Sequence, residues 1–387
     1  MDHPHGVLEA ARVQFPITQK RVYFDIANMG SPPAPVTAAL TGYFAALQER
    51  GGDKAAWLAE IEATRRKAAA LLGCEPGELA FVKNTSEGLN IAANAIAWRP
   101  GDNVVLPARE HPNNVFPWLN LRQRGVEVRL VPEAGEWVDA GMLAPHIDAR
   151  TRAVAVADVT FHPGQRNDVA GIAALCRARG VQLVVDGVQA VGLLDVDLHA
   201  LGVAMWAASA HKGLLTPHGI GLFYCRRDLI PQMAPAYLAR ASMTPDPLED
   251  HVVRNTNAVP REDARRFEIG NFNYSGVYAL SAALDVILGV GMATIERHVL
   301  GLGEYLTDEL AARGIARLGP RDPKRRSHIC VFDMPGDGWV EYLAEHDVVV
   351  SGRLGSLRVS LGLTSTKAEV DRLLALVDRR MAEGSGR

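Results

Sequence analysis

The segment 203–213, with the sequence VAMWAASAHKG, joins an apolar run to a short polar motif. The run is almost continuously apolar up to Ala208, which is typical of a strand buried on both faces of a sheet. A second apolar run, residues 219–225, begins soon after the motif. His211 and Lys212 therefore follow the end of a predicted strand, the place where ligands bind in open α/β sheets.

Similar runs precede this segment. Between about residues 79 and 225, short β-rich stretches alternate with helical patterns such as the one at 168–179. The predicted strands are 79–83, 103–107, 126–131, 153–159, 181–186, 203–209 and 219–225. Alternating strands and helices predict an α/β fold with a mostly parallel, seven-stranded, doubly wound sheet.

The pattern changes after residue 226. Many prolines, acids and arginines with little periodicity predict a surface excursion over 226–265. Two helices, at 277–290 and 293–313, then precede a smaller α+β unit. That unit has strands near 328–334, 348–351 and 357–361 and a last helix near 367–381. We predict a large domain over 23–284 and a small C-terminal domain over 285–387 that also includes residues 1–22.

The composition is that of a globular protein, with 48% hydrophobic and 22% charged residues among 387. A net charge of −3 gives no reason to expect a basic surface that binds nucleic acid or a polybasic segment that binds a membrane. No apolar stretch approaches the ~20 residues of a membrane span, and residues 1–15 lack the apolar run of a signal peptide. The four cysteines, Cys74, Cys176, Cys225 and Cys330, lack metal-ligand spacing. We expect a cytoplasmic protein with reduced thiols and no metal.

Lys212 and Asp186 are the main candidates for chemistry. Asp186 ends the predicted strand 181–186, so both residues fall at the same edge of the sheet. A lysine buried there without a partner is costly, and one explanation is a covalent bond between its amine and an aldehyde cofactor. A carboxylate at Asp186 would keep a pyridine nitrogen protonated. The ordinary alternatives are a solvated loop lysine and an aspartate that caps a turn.

Two further loops follow predicted strands. Thr85 and Ser86 begin a helix after the strand 79–83, and such helix N-termini bind anions such as phosphate. The alternative is an ordinary N-cap. His111 follows the strand 103–107 and would suit stacking on a planar cofactor, with an ordinary loop histidine as the alternative.

The order of these elements resembles fold type I enzymes that use pyridoxal 5′-phosphate (PLP), and among them the class V aminotransferase family. That family includes cysteine desulfurases, selenocysteine lyases and isopenicillin-N-epimerase-like proteins. The resemblance extends from Val22 to Leu373, and its specific elements are Ser-x-His-Lys at 209–212 and Asp-Gly-x-Gln at 186–189. It implies bound PLP, an α-amino-acid substrate and a homodimer with shared active sites.

The resemblance also implies roles for single residues. Lys212 is the expected Schiff-base lysine, Asp186 the pyridinium partner and His111 the residue stacked on the ring. The expected contacts to the phosphate or the ring are Thr85, Ser86, Gln189, Ser209, His211 and Asn271, the last reaching a neighbouring subunit. The expected substrate contacts are Asn28, Phe161, Arg353 and Arg358.

Arginines near the expected substrate site leave alternatives open. Arg358 resembles the residue that grips the substrate α-carboxylate, a task that suits the planar guanidinium, and a surface ion pair is its alternative. Arg353, Arg240 and Arg254 would bind a second anionic group or be surface charge.

Three departures from the family pattern narrow the function. Residues 346–358 contain no cysteine where desulfurases carry a catalytic one, and Cys330 lies on a predicted buried strand. Phe161 replaces an asparagine, and Asn271 replaces a threonine. Persulfide chemistry is therefore not expected.

The expected activity is C–S lyase chemistry by β-elimination on a cysteine S-conjugate or sulfoxide, with a role in natural-product biosynthesis. The alternatives are aminotransfer, epimerisation, and decarboxylation with oxidative deamination. A catalytically inactive PLP-fold binding protein is another. An enzyme without PLP that uses residues 85–88 as a nucleotide phosphate loop is disfavoured, because the Walker spacing is absent.

Overall fold

The structure is a computed structural model that describes residues 4–132, 135–244 and 259–385. Its strands are β1 (Val22–Tyr23), β2 (Leu79–Val82), β3 (Asn103–Pro107), β4 (Glu127–Val131), β5 (Thr151–Ala157), β6 (Gln182–Asp186), β7 (Met205–Ser209), β8 (Gly221–Cys225), β9 (Arg317–Leu318), β10 (Ile329–Phe332), β11 (Val348–Val349), β12 (Ser351–Arg353) and β13 (Ser356–Ser360).

The α-helices lie between these strands and at both ends of the described chain. They are α1 (Pro4–Arg12), α2 (Ala34–Arg50), α3 (Lys54–Leu72), α4 (Thr85–Ala95), α5 (Pro112–Asn120), α6 (Ala140–Leu143), α7 (Val169–Arg179), α8 (Leu198–Leu201), α9 (Tyr274–Val290), α10 (Met292–Ala312), α11 (Trp339–Glu345) and α12 (Lys367–Ser385).

A seven-stranded sheet forms the centre of the molecule, in the order β2-β8-β7-β6-β5-β3-β4. Only β8 runs antiparallel to its neighbours β2 and β7, and the other pairings are parallel. The prediction of a mostly parallel seven-stranded sheet is therefore confirmed. Parallel strands place their carboxyl ends at one edge, where loops from several strands can build a common site.

Both faces of this sheet are buried except at the edge strand β4, which explains the continuous apolar runs in the sequence. Successive side chains of a strand point to opposite faces. Trp206 and Val185 join the hydrophobic cluster on one face, whereas Ala207 and Val184 join the cluster on the other. A strand in this position needs apolar residues at every position rather than at alternate ones.

The C-terminal part forms a second, antiparallel sheet in the order β12-β13-β10-β9. The N-terminal β1 pairs in parallel with β11, and Asp25 bridges to Ser360, so the start of the chain is attached to this part. The predicted strand 348–351 is divided between β11 and the start of β12. The boundary placed between residues 284 and 285 falls within α9, and the division into domains stays a prediction.

Among the described helices, none alone has the length and apolar content of a membrane span. Only α9 and α10 together pass that test, and the two helices are bent by 76° relative to each other.

Candidate active site

A cavity of about 540 Å³ lies at the carboxyl ends of β5, β6 and β7. The loops after β2 and β3 and the segment after β1 complete its walls. Most of the predicted site residues line it: Asn28, Thr85, Ser86, His111, Phe161, Asp186, Gln189, Ser209, His211 and Lys212. The sheet thus brings together residues that are far apart in sequence.

Lys212 and Asp186 form the electrostatic centre of this cavity. Burial lowers the pKa of the Lys212 amine to about 8, although the negative charge of Asp186 opposes that shift. Burial raises the pKa of Asp186 to about 6, while a hydrogen bond from the Val188 amide and the charge of Lys212 act in the other direction. At neutral pH the carboxylate is therefore mostly ionised, and about a tenth of the amine is neutral.

The start of α4 forms one end of the cavity together with the end of β7. Ser209 Oγ accepts a hydrogen bond from the Thr85 amide at 2.7 Å, and Thr85 Oγ1 accepts one from the Ser209 amide at 2.8 Å. The two hydroxyl oxygens are also 2.8 Å apart. Because one hydroxyl donates to the other, one O–H remains to donate to an anion. Asn84, not Thr85 or Ser86, is the N-cap, since its side chain accepts from the Glu87 amide.

His211 lies beside this end. Burial, followed by the charge of Lys212, lowers the pKa of His211 to about 4, so its ring is neutral at pH 7. Its ring centroid is 4.2 Å from that of His218, which also lines the cavity. A neutral imidazole still carries one N–H, which is a suitable donor to a phosphate oxygen.

The segment after β1 closes on the lysine loop. A Cβ at Gly30 would lie 2.1 Å from the Lys212 carbonyl oxygen, so only glycine permits this approach. Gln189 donates from Nε2 to the Ala27 carbonyl at 3.2 Å, whereas its buried Oε1 has no hydrogen-bond partner among the described residues. Asn28 donates from Nδ2 to Asp25 Oδ2 at 3.2 Å.

His111 and Phe161 form the opposite wall. Their rings meet edge to face with centroids 5.1 Å apart, and His111 Nδ1 accepts a hydrogen bond from the Asn113 amide. Burial, followed by the charge of Lys212, lowers the pKa of His111. A neutral imidazole that the Asn113 amide holds in place can present a flat face to a planar ring.

Two acids near this wall were not singled out from the sequence. Glu110 accepts from the Ala157 amide at 2.7 Å and from Asn114 Nδ2 at 3.0 Å, which fixes the His111 loop to the end of β5. Asp158 is buried, and burial, followed by the charge of Asp186, raises its pKa to about 8. Glu110 stands beside His111, and Asp158 directly follows β5. Their positions at strand ends could have indicated a place near the site.

Three of the expected cofactor and substrate contacts, Asn271, Arg353 and Arg358, are not among the described residues that line the cavity. Asn271 is exposed on the surface, and the Arg353 guanidinium donates to the Gly352 carbonyl, although its charge contributes to lowering the Lys212 pKa. Arg240 also does not line the cavity, and Arg254 lies outside the described residues.

Arg358 is the third of these residues, and it is only 2% exposed. Its Nε donates to Ser351 Oγ at 3.0 Å, its Nη1 to the Phe161 carbonyl at 3.2 Å, and its Nη2 to Asp25 Oδ1 at 3.4 Å. Its ion pair with Asp25 is therefore buried rather than on the surface. Since a guanidinium has five N–H donors, two remain for a carboxylate.

These residues fit the functional groups of PLP. The Lys212 amine can bind an aldehyde, the Asp186 carboxylate can hold a protonated ring nitrogen, and the start of α4 can hold a phosphate. The unpartnered Gln189 Oε1 offers an acceptor for a ring hydroxyl.

Comparison with known proteins agrees with this fit. The model of the family Aminotransferase class-V matches residues 22–373. The chain belongs to the class V aminotransferase family. It is 33% identical to a probable cysteine desulfurase of Methanothermobacter thermautotrophicus, with 79% of this chain and 75% of that protein covered.

Solved structures of the same family are similar over almost the whole chain. The cysteine desulfurase CsdA of Escherichia coli has a TM-score of 0.85 and 26% identity, with 99% of each chain covered. The cystine C–S lyase C-DES, in complex with its product cysteine persulfide, has a TM-score of 0.86 and 26% identity, with 94% of this chain and 99% of that chain covered. A C-DES variant carries glycine linked covalently to PLP.

The class V enzyme described here accordingly has PLP fold type I, depends on PLP and resembles cysteine desulfurases. The fold and cofactor predictions are confirmed. The roles of the individual site residues stay predictions.

Proposed function

We propose that this class V enzyme cleaves the C–S bond of an S-substituted cysteine by β-elimination. The observation that carries the proposal is the pairing of Lys212 with Asp186 in a cavity whose described lining includes no cysteine. A desulfurase needs a thiolate that attacks the substrate sulfur, whereas elimination needs only a base, an electron sink and a leaving group. That C-DES is a cystine C–S lyase supports this choice.

Cys330 does not supply the missing thiolate. It lies in β10 with no exposed surface, and burial raises the pKa of its thiol. Its side chain therefore stays protonated and out of reach of a substrate.

PLP, when bound, supplies an electron sink for the pair of electrons left at the substrate Cα. Lys212 Nζ takes the Cα proton, which requires the neutral amine that burial favours. The Asp186 carboxylate holds the positive charge on the ring nitrogen. Thr85, Ser209 and the start of α4 bind the phosphate. Arg358 offers its two remaining N–H groups to the substrate α-carboxylate.

The chemistry is redox-neutral. The Cα–H and Cβ–S bonds break, a Cα=Cβ double bond forms, and the sulfur leaves as a thiol after it gains a proton. The 2-aminoacrylate that is released reacts with water to give pyruvate and ammonia. Each substrate and one water thus yield one thiol, one pyruvate and one ammonia.

The test is a product analysis of the PLP-loaded enzyme with S-substituted cysteines. We expect thiol, pyruvate and ammonia in equal amounts, and none of them from Lys212→Ala. Pyridoxamine phosphate formation would instead show aminotransfer, and deuterium uptake at Cα without thiol release would show epimerisation. Release of CO2 would show decarboxylation, and PLP binding without any product would show an inactive binding protein.

We further propose that the enzyme forms a homodimer and is located in the cytoplasm. We also propose that its reaction belongs to a biosynthetic pathway. Asn271 is exposed in the single chain and does not line its cavity, which is consistent with a role at the site of a neighbouring subunit.

A further inference from the structure

Arg109 lines the cavity but has no role in the proposed reaction. It follows β3 in the loop that carries Glu110 and His111, and its side chain is exposed within the lining of the cavity. Within the described residues it makes no hydrogen bond and no ion pair. An arginine in a catalytic cavity without a protein partner is available to a ligand.

Arg109 lies on the side of the cavity that carries the aromatic wall, because it stands two residues before His111. Its charge, after burial and the charge of Arg358, contributes to lowering the pKa of His162, the residue that follows Phe161. Lys83, the other exposed cation of the lining, precedes Asn84 and Thr85 and so belongs to the phosphate end. Arg109 is therefore the exposed cation on the side of the His111 and Phe161 wall, whereas Lys83 is the exposed cation on the phosphate side.

The other charged groups near this end already have protein partners, and Arg353 donates to the Gly352 carbonyl. Arg358 is tied to Asp25, Ser351 and the Phe161 carbonyl, and its remaining donors suit one carboxylate. Glu110 accepts hydrogen bonds from Ala157 and Asn114. His162 Nε2 lies 3.0 Å from Ser356 Oγ, and its lowered pKa leaves it neutral. Arg109 thus adds a positive charge that an amino acid with a neutral side chain would not pair.

We propose that Arg109 selects substrates whose sulfur-bound group carries an anion, such as a carboxylate. This inference rests on the proposed function, because it identifies the substituent that leaves with the sulfur. The guanidinium would hold the anion by charge-assisted hydrogen bonds while the Phe161 ring packs on the apolar part of the substituent.

The test compares two substrates of nearly equal shape, S-carboxymethyl-L-cysteine and S-carbamoylmethyl-L-cysteine, with the PLP-loaded enzyme. We expect wild type to prefer the carboxymethyl compound by about tenfold in kcat/KM. Arg109→Gln should abolish that preference, and Arg109→Lys should retain part of it. The preference of wild type should also fall as the salt concentration rises.

Arg124→Gln is the matched control, because Arg124 is exposed and does not line the cavity. It should keep the wild-type preference. Absorbance of the bound cofactor should be equal in all variants, which would show that the site is intact. Equal losses on both substrates in Arg109→Gln would overturn the inference, because Arg109 would then bind the shared α-carboxylate. The absence of any preference in wild type would also overturn it.

Calorimetric dissociation constants of the two compounds separate this inference from the proposed reaction. Tighter binding of the carboxymethyl compound that depends on Arg109, without thiol release, would support the selectivity and contradict the elimination chemistry. Thiol release from both compounds with equal affinities would support the chemistry and contradict the selectivity.

Discussion

In the proposed reaction, Lys212 is a single residue that would set the pH range. Its pKa of about 8 means that the neutral amine needed to take the Cα proton increases as the pH rises through that value. We expect kcat to rise with pH up to about 8 and then level off. Lys212→Arg keeps the charge but cannot release its proton, so turnover should fall by roughly 10²–10⁴-fold. A kcat that is constant between pH 6 and 9 would contradict this role for Lys212.

Asp158 predicts a pH dependence of stability rather than of activity. Its pKa of about 8 in the folded protein lies above the ordinary value of about 3.9. A raised pKa of this kind contributes stability that is present at low pH and is lost as the pH rises through about 8. Asp158→Asn cannot ionise, and its Oδ1 can still accept from the Val159 amide.

The melting temperatures of wild type and Asp158→Asn therefore provide the measurement. The variant should melt a few degrees above wild type at pH 8.5, and the difference should shrink at pH 5. A variant that is less stable than wild type at pH 8.5 would show that the interactions of the ionised Asp158 carboxylate contribute more stability than its burial costs.

Among single residues, the sequence could indicate as site candidates those that follow apolar strands, such as Asp186 and Lys212. It could not indicate that Asp25 pairs with Arg358, because the two residues are 333 positions apart and no local pattern links them. Arg109 was visible beside His111, but only the cavity distinguishes it from an exposed surface arginine.

The junction between α4 and β7 is the element on which the proposed phosphate binding depends. Ser209→Ala removes the acceptor of the Thr85 amide and one of the two shared hydroxyls. We expect the dissociation constant of PLP to rise about tenfold, because hydrogen bonds to a charged group are lost. Equilibrium dialysis against PLP measures this change.

Thr18→Ala is a suitable control, since the Thr18 hydroxyl donates to the Phe15 carbonyl and does not line the cavity. Unchanged PLP affinity in Ser209→Ala, with the control also unchanged, would place the phosphate elsewhere.

Elements buried on both faces were the most predictable parts of the fold. All strands of the central sheet were predicted, and continuous apolar runs leave little ambiguity for the strands other than the partly exposed edge strand β4. The pairing of β1 with β11 could not be predicted, because each strand has two residues and the partners are distant in sequence. Such pairings depend on how the two ends of the chain pack, which local periodicity does not contain.

For the whole molecule, the proposed homodimer makes Asn271 testable. If Asn271 contacts the phosphate at the partner's site, Asn271→Asp should repel that phosphate and inactivate the enzyme. In a mixed dimer of Lys212→Ala with Asn271→Asp, one site then receives a wild-type Lys212 and a wild-type Asn271. Each homodimer has two defective sites.

Mixing the two inactive variants should therefore restore activity. Random exchange of subunits gives about half mixed dimers, each with one working site, so about a quarter of wild-type activity is expected. Size-exclusion chromatography with light scattering would establish that dimers form and exchange. If mixed dimers form without recovered activity, Asn271 does not act across the interface. If Asn271→Asp alone is fully active, the residue does not contact the phosphate, whatever the oligomeric state.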